Sequence, residues 1–519
     1  MVKKIFSILT TAALLLTVSS TTYAGSNSTT PEQVIPGDMD IVIELDLTQN
    51  TEITSLLLEA SDSTKEFFEM ITNVAGASKV IAGFKNMDSY GDIWDSKEIY
   101  IATKIGNQSF KDLKRFIEEG EGETFEKKGD IIPYYCMFDG CIARLGSYLY
   151  VTQYETNMEN LVRNFYKNER DVLSSNSNYT EAKNNALKRS LLDIYINFGD
   201  VLEEAFSALE DELYLFPMGT DSFGALESLM SSIIYENISI NILKNRFDAK
   251  IDVKYDDKKM KMAGIDYSDF AFQPSLHNYF YGPDIMFFME TSNLAERFDM
   301  AEEMMGELYL PTEADIPLKL VSLLDKRLAF GVEVVDGSYL PNFTLLAEIG
   351  RNNVWKAKKL VDSITEMIEN YIAEEDFIQL TNIEDALYEA TIPFDEYDAE
   401  IYGTDSLTIT FGINENDMLV ISNNGAAENR INNNNTFFEQ EVGHQSRSLG
   451  LIYSDFYAVY DYLEILNQRT PMDEALETIK NLNYLSIKSF HKKDSIRMNM
   501  SLHYHEKGYN SLLELLRNL

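Results

Sequence analysis

A strand, a tight turn and an amphipathic helix follow one another twice in this chain. The first copy turns at Ile105-Gly106 and the second at Ile349-Gly350, an offset of 244 residues. An alternating strand at residues 40–46 has a counterpart at residues 284–290 with the identical offset. Because a strand and a later strand-to-helix unit recur at one spacing, the pattern predicts an internal duplication.

Three later segment pairs keep the same order, although their offsets drift, as loops of different length require. These pairs are residues 149–152 with 419–422, 190–198 with 448–456, and 249–255 with 498–504. Strands and hairpins interrupted by helices predict an α+β fold of two similar halves, each mainly antiparallel sheet with packed helices. The predicted limits are 25–262 for the first repeat, 263–505 for the second and 506–519 for a C-terminal helical tail.

The N-terminus has the pattern of a secretory signal peptide. Lys3 and Lys4 precede an apolar run at residues 5–18, and small residues around Ala24 suit a signal peptidase. The apolar run is shorter than the roughly 20 residues that cross a bilayer. We therefore predict that residues 1–24 are removed. The mature chain would be exported to the periplasm, the cell surface or the medium, without a stable membrane anchor.

The chain is strongly acidic, with 84 Asp and Glu against 44 Lys and Arg and a formal charge of -40. Nucleic acid needs a basic partner surface, so no nucleic-acid partner is predicted. Solubility explains the charge, and attraction of calcium is the alternative. The weak metal candidates are Asp395, Asp398 and Glu400, but no acidic cluster matches a calcium-binding helix–loop–helix pattern. We predict no cofactor, and a solvated acidic strand edge is the default for these residues.

The two cysteines, Cys136 and Cys141, flank an Asp139-Gly140 turn signal with strand-like residues on both sides. In an oxidising compartment this arrangement predicts a disulfide across a hairpin. A catalytic redox pair is the alternative. It is disfavoured because the spacing is not Cys-x-x-Cys and no helix start follows.

Common catalytic signatures are absent from the sequence, including those of zinc peptidases, serine hydrolases and phosphate-binding loops. The leading prediction is therefore a non-enzymatic protein that binds a protein partner in the cell envelope or outside the cell. The alternative is an exported hydrolase whose site is assembled from scattered carboxylates. Aromatic side chains, Trp355 among them, are expected to pack in the core.

Four features resemble a bacterial family of exported or membrane-anchored proteins called domain of unknown function 3352 (DUF3352). They are the Ile35-Pro-Gly-Asp38 turn before the first strand, Asp193-Ile-Tyr-Ile-Asn197 ahead of a helix, Leu340-Pro-Asn-Phe-Thr344 leading into a strand, and the terminal strand pair. The resemblance covers nearly all of the mature chain. It implies export, an envelope or surface location and no assigned catalytic residues. Family members often carry an N-terminal membrane anchor, where this chain has a cleavable signal.

Overall fold

A computed structural model describes most of the chain outside its N-terminus. The described residues are 29–46, 79–85, 98–105, 107–121, 124–130, 132–137, 140–167, 171–198, 231–262, 264–280, 285–297, 323–324, 326–335, 337–375, 378–423, 447–468, 471–505 and 508–509. The predicted signal peptide, and the predicted C-terminal tail apart from residues 508–509, lie outside them. The chain forms two compact units, one mainly of residues up to Asp256 and the other mainly of residues from Asp257.

Within its described residues, the first unit contains ten strands that pair as an antiparallel sheet. Its strands are β1 (Ile41–Asp46), β2 (Lys79–Lys85), β3 (Glu98–Lys104), β4 (Glu126–Lys128), β5 (Tyr134–Met137), β6 (Gly140–Leu145), β7 (Tyr148–Thr152), β8 (Leu192–Asn197), β9 (Ile233–Leu243) and β10 (Arg246–Tyr255). They pair in the order β4-β5-β6-β7-β3-β2-β1-β8-β9-β10. Its helices are α1 (Asn107–Glu121), α2 (Glu155–Lys167) and α3 (Ser177–Asn185), with short 3-10 helices at Pro31–Gln33 and Leu173–Ser175.

In the part of the second unit that the structure describes, ten further strands pair antiparallel. They are β11 (Ile285–Ser292), β12 (Arg327–Glu333), β13 (Asn342–Glu348), β14 (Gln379–Glu384), β15 (Leu387–Pro393), β16 (Ser406–Ile413), β17 (Met418–Ser422), β18 (Ser448–Asp455), β19 (Leu482–Lys492) and β20 (Ser495–Tyr504). They pair in the order β14-β15-β16-β17-β13-β12-β11-β18-β19-β20. Its helices are α4 (Asp257–Met262), α5 (Val354–Glu375), α6 (Glu396–Tyr402), α7 (Phe456–Asn467) and α8 (Asp473–Ile479), with a 3-10 helix at Leu276–Tyr279.

The described strands of the two units follow the same pairing order, position by position. The five segment pairs found in the sequence lie on strands at equivalent positions, namely β1 and β11, β3 and β13, β7 and β17, β8 and β18, and β10 and β20. A shared order is a property of topology. It does not show the internal duplication that the sequence predicts.

The predicted α+β class with packed helices is wrong, because antiparallel sheet dominates the part of the chain that the structure describes. Long hairpins account for much of the difference. The β9–β10 and β19–β20 hairpins are built from strands of 10 or 11 residues. Side chains that alternate along such strands give each sheet its buried face.

Tyrosines dominate the buried face of the first unit. Tyr100, Tyr150, Tyr195 and Tyr235 are all fully buried there. The ring of Tyr195 meets the rings of Tyr179 and Tyr235 at centroid distances of 5.4 Å and 5.7 Å. Trp355 in the second unit departs from the expected packing, because it lies on the outer face of α5 and is 57% exposed.

A disulfide joins Cys136 on β5 to Cys141 on β6. The two cysteines lie directly opposite each other in the antiparallel pair. Cys141 is buried, and Cys136 packs against the core of the first unit. The bond therefore closes a short hairpin in the sheet.

Replacing both cysteines by serine should lower the free energy of unfolding by about 2 kcal/mol, because the disulfide closes only a small loop. Urea denaturation of the mature chain measures the change. Reduced wild-type protein is the matched control and should unfold at the same urea concentration as the double variant. An unchanged midpoint in both samples would show that the bond contributes nothing to stability.

Candidate functional site

Glu44 lies on β1 and is only 3% exposed. Alternation along this strand predicts one strongly apolar face, made by Ile41, Ile43 and Leu45. In the structure residues 42–45 are all buried, so Glu44 on the opposite face is buried as well. A carboxylate in this position must be compensated by nearby charges or hydrogen-bond donors.

Helix α3 supplies two of the groups that compensate Glu44. Asn176 caps the helix, and its side chain accepts hydrogen bonds from the backbone amides of Asn178 and Tyr179 at 2.9 Å and 3.1 Å. Tyr179 and Lys183 are four residues apart and so share one helix face. The Tyr179 hydroxyl donates to Glu44 Oε1. Lys183 Nζ lies 3.0 Å from the same oxygen.

A second lysine and a second carboxylate complete the cluster. Lys79 on β2 pairs with Glu44, and its Nζ lies 3.1 Å from Glu32 Oε1. Asp193 on β8 is directly opposite Glu44. Lys183 Nζ is 2.8 Å from Asp193 Oδ2, so one ammonium bridges both carboxylates. We call Glu44, Lys79, Lys183, Asp193 and Tyr179 the Glu44 cluster.

The electrostatics of the Glu44 cluster hold Glu44, Lys79 and Tyr179 in fixed protonation states. Burial acts to raise the pKa of Glu44, but the charges of Lys183 and Lys79 outweigh it and leave the pKa lowered. Burial acts to lower the pKa of Lys79, yet the carboxylates of Glu44 and Glu32 raise it. Burial and the neighbouring Glu44 charge raise the pKa of Tyr179. At neutral pH the carboxylate, the ammonium and the neutral phenol therefore persist, which suits a structural tether better than proton transfer.

Glu290 holds the corresponding register position in the second unit. The pairings that define the position are Glu44–Ile81–Ala102 in the first unit and Glu290–Ala329–Leu346 in the second. The offset of 244 residues in the sequence would align Glu290 with Asp46. The strand pairing instead places it level with Glu44.

Glu290 is fully buried and is compensated by backbone amides. Its Oε1 accepts hydrogen bonds from the amides of Ser275 and Leu276 at 3.0 Å and 3.2 Å, where the 3-10 helix Leu276–Tyr279 begins. Among the residues that the structure describes, Oε2 has no hydrogen-bond partner. Burial raises the pKa of Glu290 to about 7, against the opposing effects of the Ser275, Leu276 and His277 amides and the Arg327 charge. Glu290 can therefore gain or lose a proton near neutral pH.

Arg327 on β12 holds the same segment from another side. Its Nη1 donates to the carbonyl oxygen of Gln273 at 3.0 Å and to the Ser275 hydroxyl. Its Nε donates to Glu348 on β13 at 2.7 Å. The segment before β11 is thus fastened to the sheet by Glu290 and Arg327 together.

In each unit a buried glutamate connects the first strand to the 3-10 helix that precedes it. The connection is direct in the second unit, where Glu290 accepts backbone amides. In the first unit it runs from Glu44 through Lys79 to Glu32, on the 3-10 helix Pro31–Gln33. Sequence reasoning missed both glutamates, because an acidic residue in an alternating strand is ordinarily interpreted as facing solvent.

The metal candidates from the sequence lie on or next to α6. Asp395 is the N-cap of this helix, and its Oδ1 accepts the amide of Asp398 at 2.7 Å. Asp395 and Glu400 are exposed. Within the described ranges, no group of three or more His, Cys, Asp or Glu side chains is placed to hold a metal ion. Helix capping accounts for the position of Asp395.

No model of a known protein family and no curated protein sequence matches the chain. Solved structures that are similar to it include three crystal forms of a protein named TP0453, at 13%, 11% and 12% identity. They cover 44% of this chain and 80% or 81% of their own, with TM-scores of 0.29, 0.29 and 0.28. Similarity at this level carries no conclusion about function. Among the residues that the structure describes, no helix has the length and hydropathy needed to cross a membrane.

Lys183→Met should lower the free energy of unfolding by about 3 kcal/mol, because it leaves two buried carboxylates without their shared cation. Adding Glu44→Gln and Asp193→Asn should recover most of the loss, since the uncompensated charges are then gone. Urea denaturation of the mature chain measures both. The control is Lys128→Met, which removes ion pairs with the exposed carboxylates Glu126 and Glu155 and should change the midpoint little. If Lys183→Met and Lys128→Met lower the free energy of unfolding equally, Lys183 does not fasten α3 to the sheet as described.

Glu290→Gln should flatten the pH dependence of stability. The pKa of Glu290 in the folded chain, about 7, lies above the value of about 4.3 expected in the unfolded chain. The folded state therefore binds the extra proton, and the contribution of Glu290 to the free energy of unfolding falls as pH rises through that window. The fall amounts to about 3 kcal/mol.

Urea denaturation at pH 5 and pH 8 measures this difference for the wild type and the variant. Glu384→Gln, an exposed change in the same unit, is the control and should keep the wild-type slope. If the free energy of unfolding of Glu290→Gln changes between pH 5 and pH 8 as much as that of the wild type, the Glu290 carboxylate does not titrate in this pH range.

Proposed function

We propose that this chain is an exported, non-enzymatic binding or scaffold protein of the bacterial cell envelope. The signal-like pattern at residues 1–24 and the Cys136–Cys141 disulfide both suit an oxidising compartment outside the cytoplasm. We also propose that it belongs to DUF3352, on the four sequence features described above. Export and an envelope location are what that membership implies.

The proposal rests on two buried carboxylates that lie directly opposite each other on adjacent strands. Hydrolysis by two carboxyl groups needs an open space between them for the substrate and a general acid that holds its proton. Glu44 and Asp193 face each other on adjacent strands, but Lys183 bridges them and both are buried. The pKa of Glu44 is lowered, so it is a poor proton donor. This pair therefore supports a framework role over catalysis.

Large exposed side chains in the second unit support a protein partner. Trp355 on α5 is 57% exposed and Tyr397 on α6 is 71% exposed. The ammonium of Lys359 lies 5.1 Å from the centre of the Trp355 ring, which holds the indole on the outer face of the helix. Aromatic residues are enriched where proteins bind one another, because they bury a large area with little loss of rotamer freedom.

We expect the tagged full-length chain, expressed in its native cells, to fractionate with the envelope and to start at Gly25. Mass spectrometry of the N-terminus measures cleavage. In-cell crosslinking should recover one or two envelope proteins reproducibly over an unrelated exported control.

Retention in the cytoplasm with residues 1–24 intact would refute export. Turnover of an envelope substrate by the purified chain, lost in Glu44→Gln or Asp193→Asn variants that still fold, would replace the binding proposal with the hydrolase. The Lys183→Met/Glu44→Gln/Asp193→Asn variant should be assayed beside them. It lacks the buried charges but is expected to keep most of the stability, so a loss of turnover in it would not be due to unfolding.

A further inference from the structure

Residues 360–429 contain 17 Asp and Glu but no Lys, Arg or His. At the chain-wide frequency of 44 Lys and Arg in 519 residues, about six would be expected in a stretch of this length. The flanking cations are Lys359 and Arg430. The described part of the stretch includes β14, β15, α6, β16 and β17, so it covers one end of the second unit's sheet. We call this part the acidic end.

Strand β14 is the outermost strand of the acidic end. Among the described residues it pairs with β15 and with no other strand. Five of its six residues are exposed, and they include residues that point to both faces. Ile383 is 41% exposed. An edge of this kind presents backbone donors and acceptors that can pair with a further strand.

The equivalent edge of the first unit is built differently. Strand β4 holds the same position in its pairing order, but it is three residues long and contains Lys127 and Lys128. Short length and lysines are the usual means by which proteins prevent pairing at a sheet edge. Strand β14 is six residues long and has no lysine and no proline. Its register is regular from Gln379 to Asn382, and the only shift comes between Asn382 and Glu384.

The charge around β14 determines which strand could pair there. Glu384 and Asp385 lie at its end, and Glu389 faces Thr381 from β15. Lys358, from outside the acidic stretch, reaches Asp385 at 2.8 Å. Because the chain as a whole carries a formal charge of -40, a second copy would be repelled from this edge. A segment rich in lysine or arginine would be attracted.

We propose that the free edge of β14 binds an extended, cationic segment of a partner protein as an additional strand of the sheet. The inference rests on the proposed binding function and names the chemistry of its partner. Backbone hydrogen bonds would supply affinity, as in other complexes formed by strand addition. The surrounding carboxylates would speed association and make the affinity fall as salt rises.

The test uses a fluorescein-labelled peptide of alternating lysine and valine, titrated with the mature chain and followed by fluorescence anisotropy. Two peptides serve as controls. One has the same sequence with alternate backbone amides methylated, so it keeps the charge but cannot pair along an edge. The other replaces lysine by glutamate. We expect binding of the first peptide, at least tenfold weaker binding of the methylated peptide and no saturable binding of the acidic one.

Two matched variants locate the site. Glu384→Lys reverses one charge at the end of β14 and should weaken binding about fivefold. Asp130→Lys makes the same charge change on an exposed turn of the first unit and should leave binding unchanged. Urea midpoints of both variants should equal that of the wild type, because both side chains are exposed.

Equal binding of the methylated and unmethylated peptides would overturn strand addition and leave only diffuse charge attraction. Equal weakening by both variants would overturn the location. Self-association of the wild type in sedimentation, lost in Glu384→Lys, would make a second copy the occupant and also overturn the proposal. If crosslinking recovers an envelope partner equally well with Glu384→Lys, this inference falls and the proposed function stands. If no partner is recovered at all, the proposed function itself falls.

Discussion

The burial of a glutamate on the first strand of each unit is the constraint around which the neighbouring elements are arranged. An ionised carboxylate away from water is unfavourable by several kcal/mol unless opposite charge or hydrogen-bond donors surround it. The first unit supplies two lysines and a phenol to Glu44, from β2 and α3. The second unit supplies two backbone amides to Glu290, and the pKa of Glu290 is raised by its burial. One register position is thus satisfied by two different kinds of chemistry.

Local patterns located several strands but not the buried charge. The alternation at residues 40–46 located β1, and the Asp139-Gly140 turn between two cysteines located a disulfide hairpin. The burial of Glu44 was missed because β1 is buried on both faces, which alternation within one strand cannot reveal. Its lysine partners are at positions 79 and 183, and neither has a local sequence signature. The predicted fold class is wrong for a related reason, because helix patterns in the sequence do not show how many strands the sheet contains.

The two units place their charge differently although their strands pair in the same order. In the first, partly exposed lysines and a buried tyrosine surround the buried carboxylate of Glu44, and these contacts hold α3 and the leading 3-10 helix in place. In the second, the long cation-free stretch places acidic residues on an exposed edge. Charged groups inside the first unit hold neighbouring elements in place. Exposed carboxylates of the second unit favour the binding of partners with the opposite charge. This difference supports the proposed framework role of the Glu44 cluster and the proposed partner-binding role of the acidic end.

The disulfide fixes the alignment of β5 with β6 as well as adding to the stability of the fold. Successive side chains of a strand point to opposite faces, so a slip of one residue between paired strands exchanges the buried set for the exposed set. Tyr134 on β5 and Ile142 on β6 are both buried. Because Cys136 and Cys141 are directly opposite each other, their bond admits a single alignment of the two strands. The covalent link therefore acts as a register pin for the outer strands of the first unit, excluding misaligned hairpins that hydrogen bonding alone would tolerate.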